Sequence, residues 1–201
     1  MQSFDERFKE AIARFDEANA GDPQREALLY AQRMSQWLAR FAPEASEPLQ
    51  LAARSQHICR WEIPRTSLPA GRIGYLQWRK RLYEFHAQKA AQILNDVGYD
   101  DATIARVQSL LRKENLKGDP EMQILEDVIC LVFLEHYFSD FAARHDEGQL
   151  INILRRTWKK MSPRGREAAM GLNLSARDRV LIEKALTQPQ GEQRSSETEE
   201  S

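Results

Sequence analysis

EMQILEDVICLVFLEHYF, residues 121–138, reads as one helix that is apolar almost all round. Ile124, Leu125, Val128, Ile129, Leu131, Val132, Phe133 and Leu134 leave no broad polar stripe. A helix of that kind belongs at the centre of a bundle, where no face reaches water. Glu126 and Asp127 nevertheless stand side by side just before its most apolar run. An ionised carboxylate without a partner is very costly to bury, so at least one of the two must meet a cation, a metal or a cluster of donors. Successive helical side chains point about 100° apart, so the two should serve different partners. We expect Asp127 at a functional site and Glu126 on an arginine, with Arg60 and Arg65 the nearest candidates.

Outward from this helix the periodicity stays helical. Phe4, Phe8, Ile12 and Phe15 form an i, i+4 stripe that Gly21 and Pro23 end. Further helices are predicted over 24–41, 48–61, 75–97 and 101–115, with an irregular stretch at 62–74 punctuated by Pro64, Pro69, Gly71 and Gly74. Asp119 caps the central helix and Pro120 takes its first position. A helix over 149–161 follows Gly148, then a turn at Ser162-Pro163-Arg164-Gly165, then a last helix opened by the capping box Ser175/Asp178. The prediction is an all-α, single-domain bundle of seven or eight helices over 1–187. The remainder, QPQGEQRSSETEES at 188–201, has no apolar content and is expected to be disordered.

Composition narrows the setting. The 201 residues carry a net charge of −1, and 29% are charged, so the global field does not single out a polyanionic partner. Mean hydropathy is −0.62, and no run reaches membrane-spanning length. Cys59 and Cys130 both lie in apolar helical surroundings and suit buried, inert thiols. That usage favours a reducing compartment, and we expect a cytoplasmic protein.

Two constellations carry chemistry. His57, His86 and Asp127 come from three different helices and could form a divalent-metal site with open positions. The competing reading makes each histidine a hydrogen-bonded core residue, since no HExxH-type spacing is present. The second constellation is the segment 54–81, where Arg54, Arg60, Arg65, Arg72, Arg79, Lys80 and Arg81 interleave with Trp61, Tyr75 and Trp78 against the single acid Glu62. Arginine forks suit phosphate and aromatic faces can stack a base. A later basic run, Arg155, Arg156, Lys159, Lys160, Arg164 and Arg166 with Trp158, could meet nucleic acid or be a solvated face. His136 and Asp140 stand four apart and are expected to pair locally.

The order His57, His86, Asp127, together with VQSLLRKENLKGDPEMQILEDVICLVFL (107–134), resembles the HD-domain phosphohydrolase superfamily. The resemblance implies an HD-like fold in which His57, His86 and Asp127 ligate a divalent metal (Mn, Mg, Fe or Zn) that activates water against a phosphate ester. Ala87 stands where the family's defining Asp belongs, and Lys113 where many members place a further His. RSQHICRWEIPR (54–65), RIGYLQWRKRLYEFHA (72–87) and the stretch 125–162 resemble a family of small cytosolic proteins of bacteria and fungi known only as a domain of unknown function, which brings no established activity.

The expected function is therefore hydrolysis of a nucleotide or other phosphate monoester. Glu126 and Asp127 would be catalytic, and Arg54, Arg60, Arg79, Trp78 and Lys113 would bind substrate. The alternative is a non-catalytic module that binds RNA or a phosphorylated ligand through segment 54–81. A third is a structural interaction domain.

Overall fold

A computed structural model of the chain describes residues 4–114 and 118–187, and the polar tail expected to be disordered lies outside them. All regular structure in the described residues is helical. The order is α1 (Phe4–Ala20), α2 (Glu26–Phe41), α3 (Glu47–Ser55), two 3-10 turns (Arg60–Glu62 and Arg65–Ser67), α4 (Gly71–Val97), α5 (Asp101–Arg112), α6 (Pro120–His136), α7 (Phe138–Ala142), α8 (Glu147–Lys160), α9 (Pro163–Met170) and α10 (Ala176–Thr187). Among the described residues there are ten α-helices, not the seven or eight expected.

α6 is the central helix that its composition demands. Met122, Leu125, Val128, Leu131 and Val132 are fully buried, and α2, α3, α5, α8 and α9 all pack against it. One apolar core runs from Ala11 on α1 to Ala185 on α10, which makes the described chain a single domain. Its start is built as the sequence requires: Asp119 accepts the N–H of Glu121 at 3.0 Å and of Met122 at 3.3 Å, and Pro120 opens the helix. Arg106 reaches across from α5 to hold Asp119 at 2.9 Å. Ser175 likewise caps α10 through the N–H of Asp178 at 3.1 Å.

Four boundaries depart from the periodic pattern, each for a local reason. The central helix stops at Tyr137, whose backbone leaves the helical region (φ −127°, ψ −20°). The Tyr137 ring meets Tyr30 of α2 at 5.9 Å and the Arg33 guanidinium at 5.1 Å, and α7 restarts at the next residue. The third helix ends at Ser55 instead of Trp61, because the chain turns through Cys59 in the left-handed region (φ 52°). Asn19 of α1 fixes that turn by accepting the Cys59 N–H at 3.1 Å. α4 begins at Gly71, and Gly74 lets the Pro69 carbonyl lie against it, since a Cβ there would sit 2.0 Å from that oxygen. Finally, Ser162 to Gly165 is the start of α9 and not a turn: the Ser162 hydroxyl accepts the Gly165 N–H at 3.0 Å with Pro163 in first position.

Candidate functional site

The two carboxylates of α6 are both buried, Glu126 to 3% exposure and Asp127 to 1%, and both find the partners their burial requires. The partners are the reverse of those expected. Asp127 accepts the Ser162 N–H at 2.8 Å, the Ser162 hydroxyl at 2.5 Å and the Gln123 amide at 3.2 Å. Gly165 presses on the same group, where a Cβ would come within 2.5 Å of Oδ1. Asp127 therefore fastens α9 to the core and borders no described cavity. Glu126 pairs with Lys113, not with an arginine, and it faces a cavity. Lys113 reaches it because α5 ends there in the left-handed region (φ 59°).

That cavity, about 220 Å³, lies between α4 and α6 beneath the turn that follows α3. Its wall brings together His57, His86, Arg60, Arg79, Trp78, Lys113 and Glu126 of the expected residues. Gln56, Tyr75, Tyr83 and Lys160 join them. A larger cavity of about 790 Å³ adjoins it, sharing His57, Arg60, Trp78, Ile129, Cys130 and Lys160. Tyr30 stacks on the His57 ring at 4.3 Å in the wall of this outer chamber.

The imidazoles have defined states. The Arg60 guanidinium lies 3.1 Å from His57 Nε2 and can only donate, so that nitrogen presents its lone pair and Nδ1 carries the proton. Burial, then the nearby Arg60 charge, holds His57 well below the ordinary histidine range. His86 Nδ1 lies 2.8 Å from the Ile58 carbonyl and must be the N–H side. Burial lowers His86 to about 4, although its bond to Ile58 opposes the shift. The two rings stand 5.7 Å apart.

The cations are held at fixed angles. Arg60 spans from His57 to the face of Trp78, 4.8 Å from the ring centre. Arg79 donates to the Tyr83 hydroxyl and lies 5.9 Å from the Tyr75 ring centre. Among the described residues neither Arg60, Arg79 nor Lys160 has a carboxylate within ion-pairing distance.

Other expected participants lie elsewhere. Arg54 is spent on Asp16 of α1 in a two-pronged pair at 2.7 and 2.5 Å. Arg65 ties the irregular stretch by donating to the carbonyls of Leu68, Pro69 and Gly71. Trp78 is only 7% exposed, donates its Nε1–H to Ile63 at 2.9 Å and has Arg60 across its face, so it is not an open stacking platform. The late basic run is divided: Lys160 borders both cavities, Arg166 donates to the Trp158 carbonyl and Arg164 to that of Phe41. His136 lies 3.1 Å from Glu135, and His145 stacks on Phe141 with Nδ1 2.8 Å from its carbonyl, so the His136–Asp140 pairing gives way to these contacts.

A divalent metal does not fit the expected ligands. Asp127 is turned to Ser162, and the accepting nitrogen of His57 is taken by Arg60. Among the described residues no three His, Cys, Asp or Glu side chains gather so as to hold a metal ion.

Tyr30, Gln56 and Tyr83 escaped the reading of the sequence, and Lys160 entered it only as part of the late basic run. Tyr30 alone left a usable sign, standing seven residues before Trp37 on the inward face of α2. Among the described residues no helix is long and apolar enough to cross a membrane. A family model described as a domain of unknown function (DUF4202) matches residues 9–182. No curated protein and no solved structure matches the chain.

Proposed function

We propose that this chain, which belongs to the DUF4202 family, binds a phosphorylated small molecule or nucleotide in the basic pocket between α2, α4 and α6. The observation that carries this reading is the charge around the inner cavity: Arg60, Arg79, Lys113 and Lys160 against Glu126 alone. Four cations around one carboxylate repel one another in a partly desolvated space, and a phosphate dianion offsets that repulsion. Arg60 is already oriented by His57 and Trp78, and Arg79 by Tyr83, so little side-chain freedom is lost on binding. The outer chamber, walled by the Tyr30–His57 stack and by Phe133 and Tyr137, offers apolar room for the rest of the ligand.

The hydrolase expected from the HD-like resemblance would route its chemistry through a metal at His57, His86 and Asp127, and these residues do not fit that ion. Ala87 in the place of the family's Asp is fully buried in the core and supplies no ligand. We therefore place the function at binding. RNA receives less support, because Trp78 is covered by Arg60.

Calorimetric titration with inorganic phosphate, pyrophosphate, AMP and sugar phosphates tests the proposal. At least one should bind, raise the melting temperature by mass action and do so equally in EDTA. The Arg60→Ala/Arg79→Ala double variant should lose at least about tenfold in affinity, the order expected for removing charge-assisted hydrogen bonds. Failure of every phosphate compound to bind the wild-type protein at millimolar concentration would overturn it.

A further inference from the structure

Two side chains on the wall of the inner cavity each carry a buried polar atom with no hydrogen-bond partner among the described residues: His86 at Nε2 and Gln56 at Oε1. Both belong to side chains nine-tenths buried or more, His86 at 2% exposure and Gln56 at 3%. Buried polar atoms are otherwise almost always paired, so two orphans on side chains that line one small space mark a subsite. Their chemistry can be read. Because His86 Nδ1 must donate to the Ile58 carbonyl 2.8 Å away, Nε2 offers a lone pair. Gln56 Oε1 is an acceptor as well. The cations that surround the same cavity donate elsewhere: Arg60 to His57, Arg79 to Tyr83 and Lys113 to Glu126.

Resting on the phosphate-binding reading, we infer that the ligand is a hydroxyl-bearing phosphate ester, such as a sugar phosphate or the ribose phosphate of a nucleotide, with a hydroxyl donating to His86 Nε2 and a second donor meeting Gln56. Two acceptors call for donors, and the donor must be neutral. An ammonium group would face Arg60, Arg79 and Lys113 in the same cavity, and like charges at that range are repelled. A hydroxyl donates without that penalty. The cations of the cavity thus hold the anion, and His86 with Gln56 reads the polyol.

The test compares esters that share one phosphate dianion. Ribose 5-phosphate, glucose 6-phosphate and AMP carry hydroxyls, whereas phenyl phosphate carries none. At least one of the first three should bind about tenfold or more tightly than phenyl phosphate, because a site built around a substrate hydroxyl discriminates against an analogue that lacks it. His86→Phe should erase that preference and leave phenyl phosphate affinity within about twofold. Should His86→Phe not fold, Gln56→Leu serves instead, and the Nε2 resonance of His86 in nitrogen-15 spectra of the wild-type protein should move with ribose 5-phosphate but not with phenyl phosphate. Equal affinity for both kinds of ester, with an unmoved Nε2 resonance, would overturn the hydroxyl subsite and leave the anion pocket standing. If neither kind of ester nor inorganic phosphate binds, the anion pocket falls and the subsite with it.

Discussion

Arg54 and Arg60 lie six residues apart on either side of one turn and are used in opposite ways. Arg54 closes on Asp16 with both prongs, as Arg106 does across α5 and α6 with Asp119 and Glu121. Arg60 has an imidazole lone pair and an indole face, and no carboxylate among the described residues. The same contrast separates the two acids of α6. Asp127 is met by the neutral donors of Ser162 at the start of α9 and of Gln123 on its own helix, whereas Glu126 stands in a cavity with more cations than it can neutralise. Regions that hold the fold together satisfy their buried charges internally, by an opposite charge or by neutral donors, and a region that leaves positive charge unbalanced is built for something outside the chain.

The largest expected effect is at Asp127. Replacing it with Leu should cost about 3–5 kcal/mol in chemical denaturation, since Ser162 would lose its acceptor inside the core. Gly165→Ala, which drives a Cβ into the same carboxylate, should cost about 1–3 kcal/mol. Neither change should alter phosphate affinity in protein that remains folded. An Asp127 variant of near wild-type stability would dissolve the distinction between the two acids.

A second prediction concerns His86. Its pKa falls from 6.5 in the unfolded chain to about 4 in the fold, so the unfolded state takes up the proton first as pH drops. Stability is full above pH 6.5 and is lost progressively down to about pH 4. The contribution amounts to roughly 3 kcal/mol at about 1.4 kcal/mol per pH unit. His86→Phe should flatten that part of the pH profile, and an unchanged slope between these limits would show that folding does not lower the His86 pKa.

The smallest expected effect is the most discriminating. Arg54→Ala should lower stability by about 1–3 kcal/mol and leave ligand binding intact. Arg60→Ala should change stability by only about 0.5–1 kcal/mol, the scale of its cation–π contact, yet weaken phosphate binding. Parallel denaturation and titration of the two variants should show opposite rank orders. The same rank order in both would mean that the two arginines do one job.

Much of the fold was legible because helical periodicity and end signals are local. Asp119-Pro120 and Ser175 sit where the sequence puts them, and α6 is central because its composition allows no other place. The boundaries at Tyr137 and Cys59 were hidden, since each is set by a contact from a distant helix: Tyr30 and Arg33 on α2, Asn19 on α1. The site was legible as a set of residue types more than as a set of roles. His57, His86, Arg60, Arg79, Lys113 and Glu126 do converge, yet helical geometry states only that Glu126 and Asp127 diverge, not which neighbour each meets. Lys113 could not be foreseen as the partner, because a left-handed residue at the end of α5 decides where its side chain reaches.

The Ser162 bridge also bears on how the chain acquires its structure. α9 has eight residues and is too short to persist alone in water. Its first turn hangs on a hydroxyl that is itself held by a carboxylate 35 positions earlier in the chain. The N–H of Gly165 should consequently exchange with solvent deuterium only when α6 itself opens, at the slow rate of whole-molecule unfolding, and not at the fast rate of a fraying helix end. The last third of the chain would then gain its order in a single cooperative step with the core.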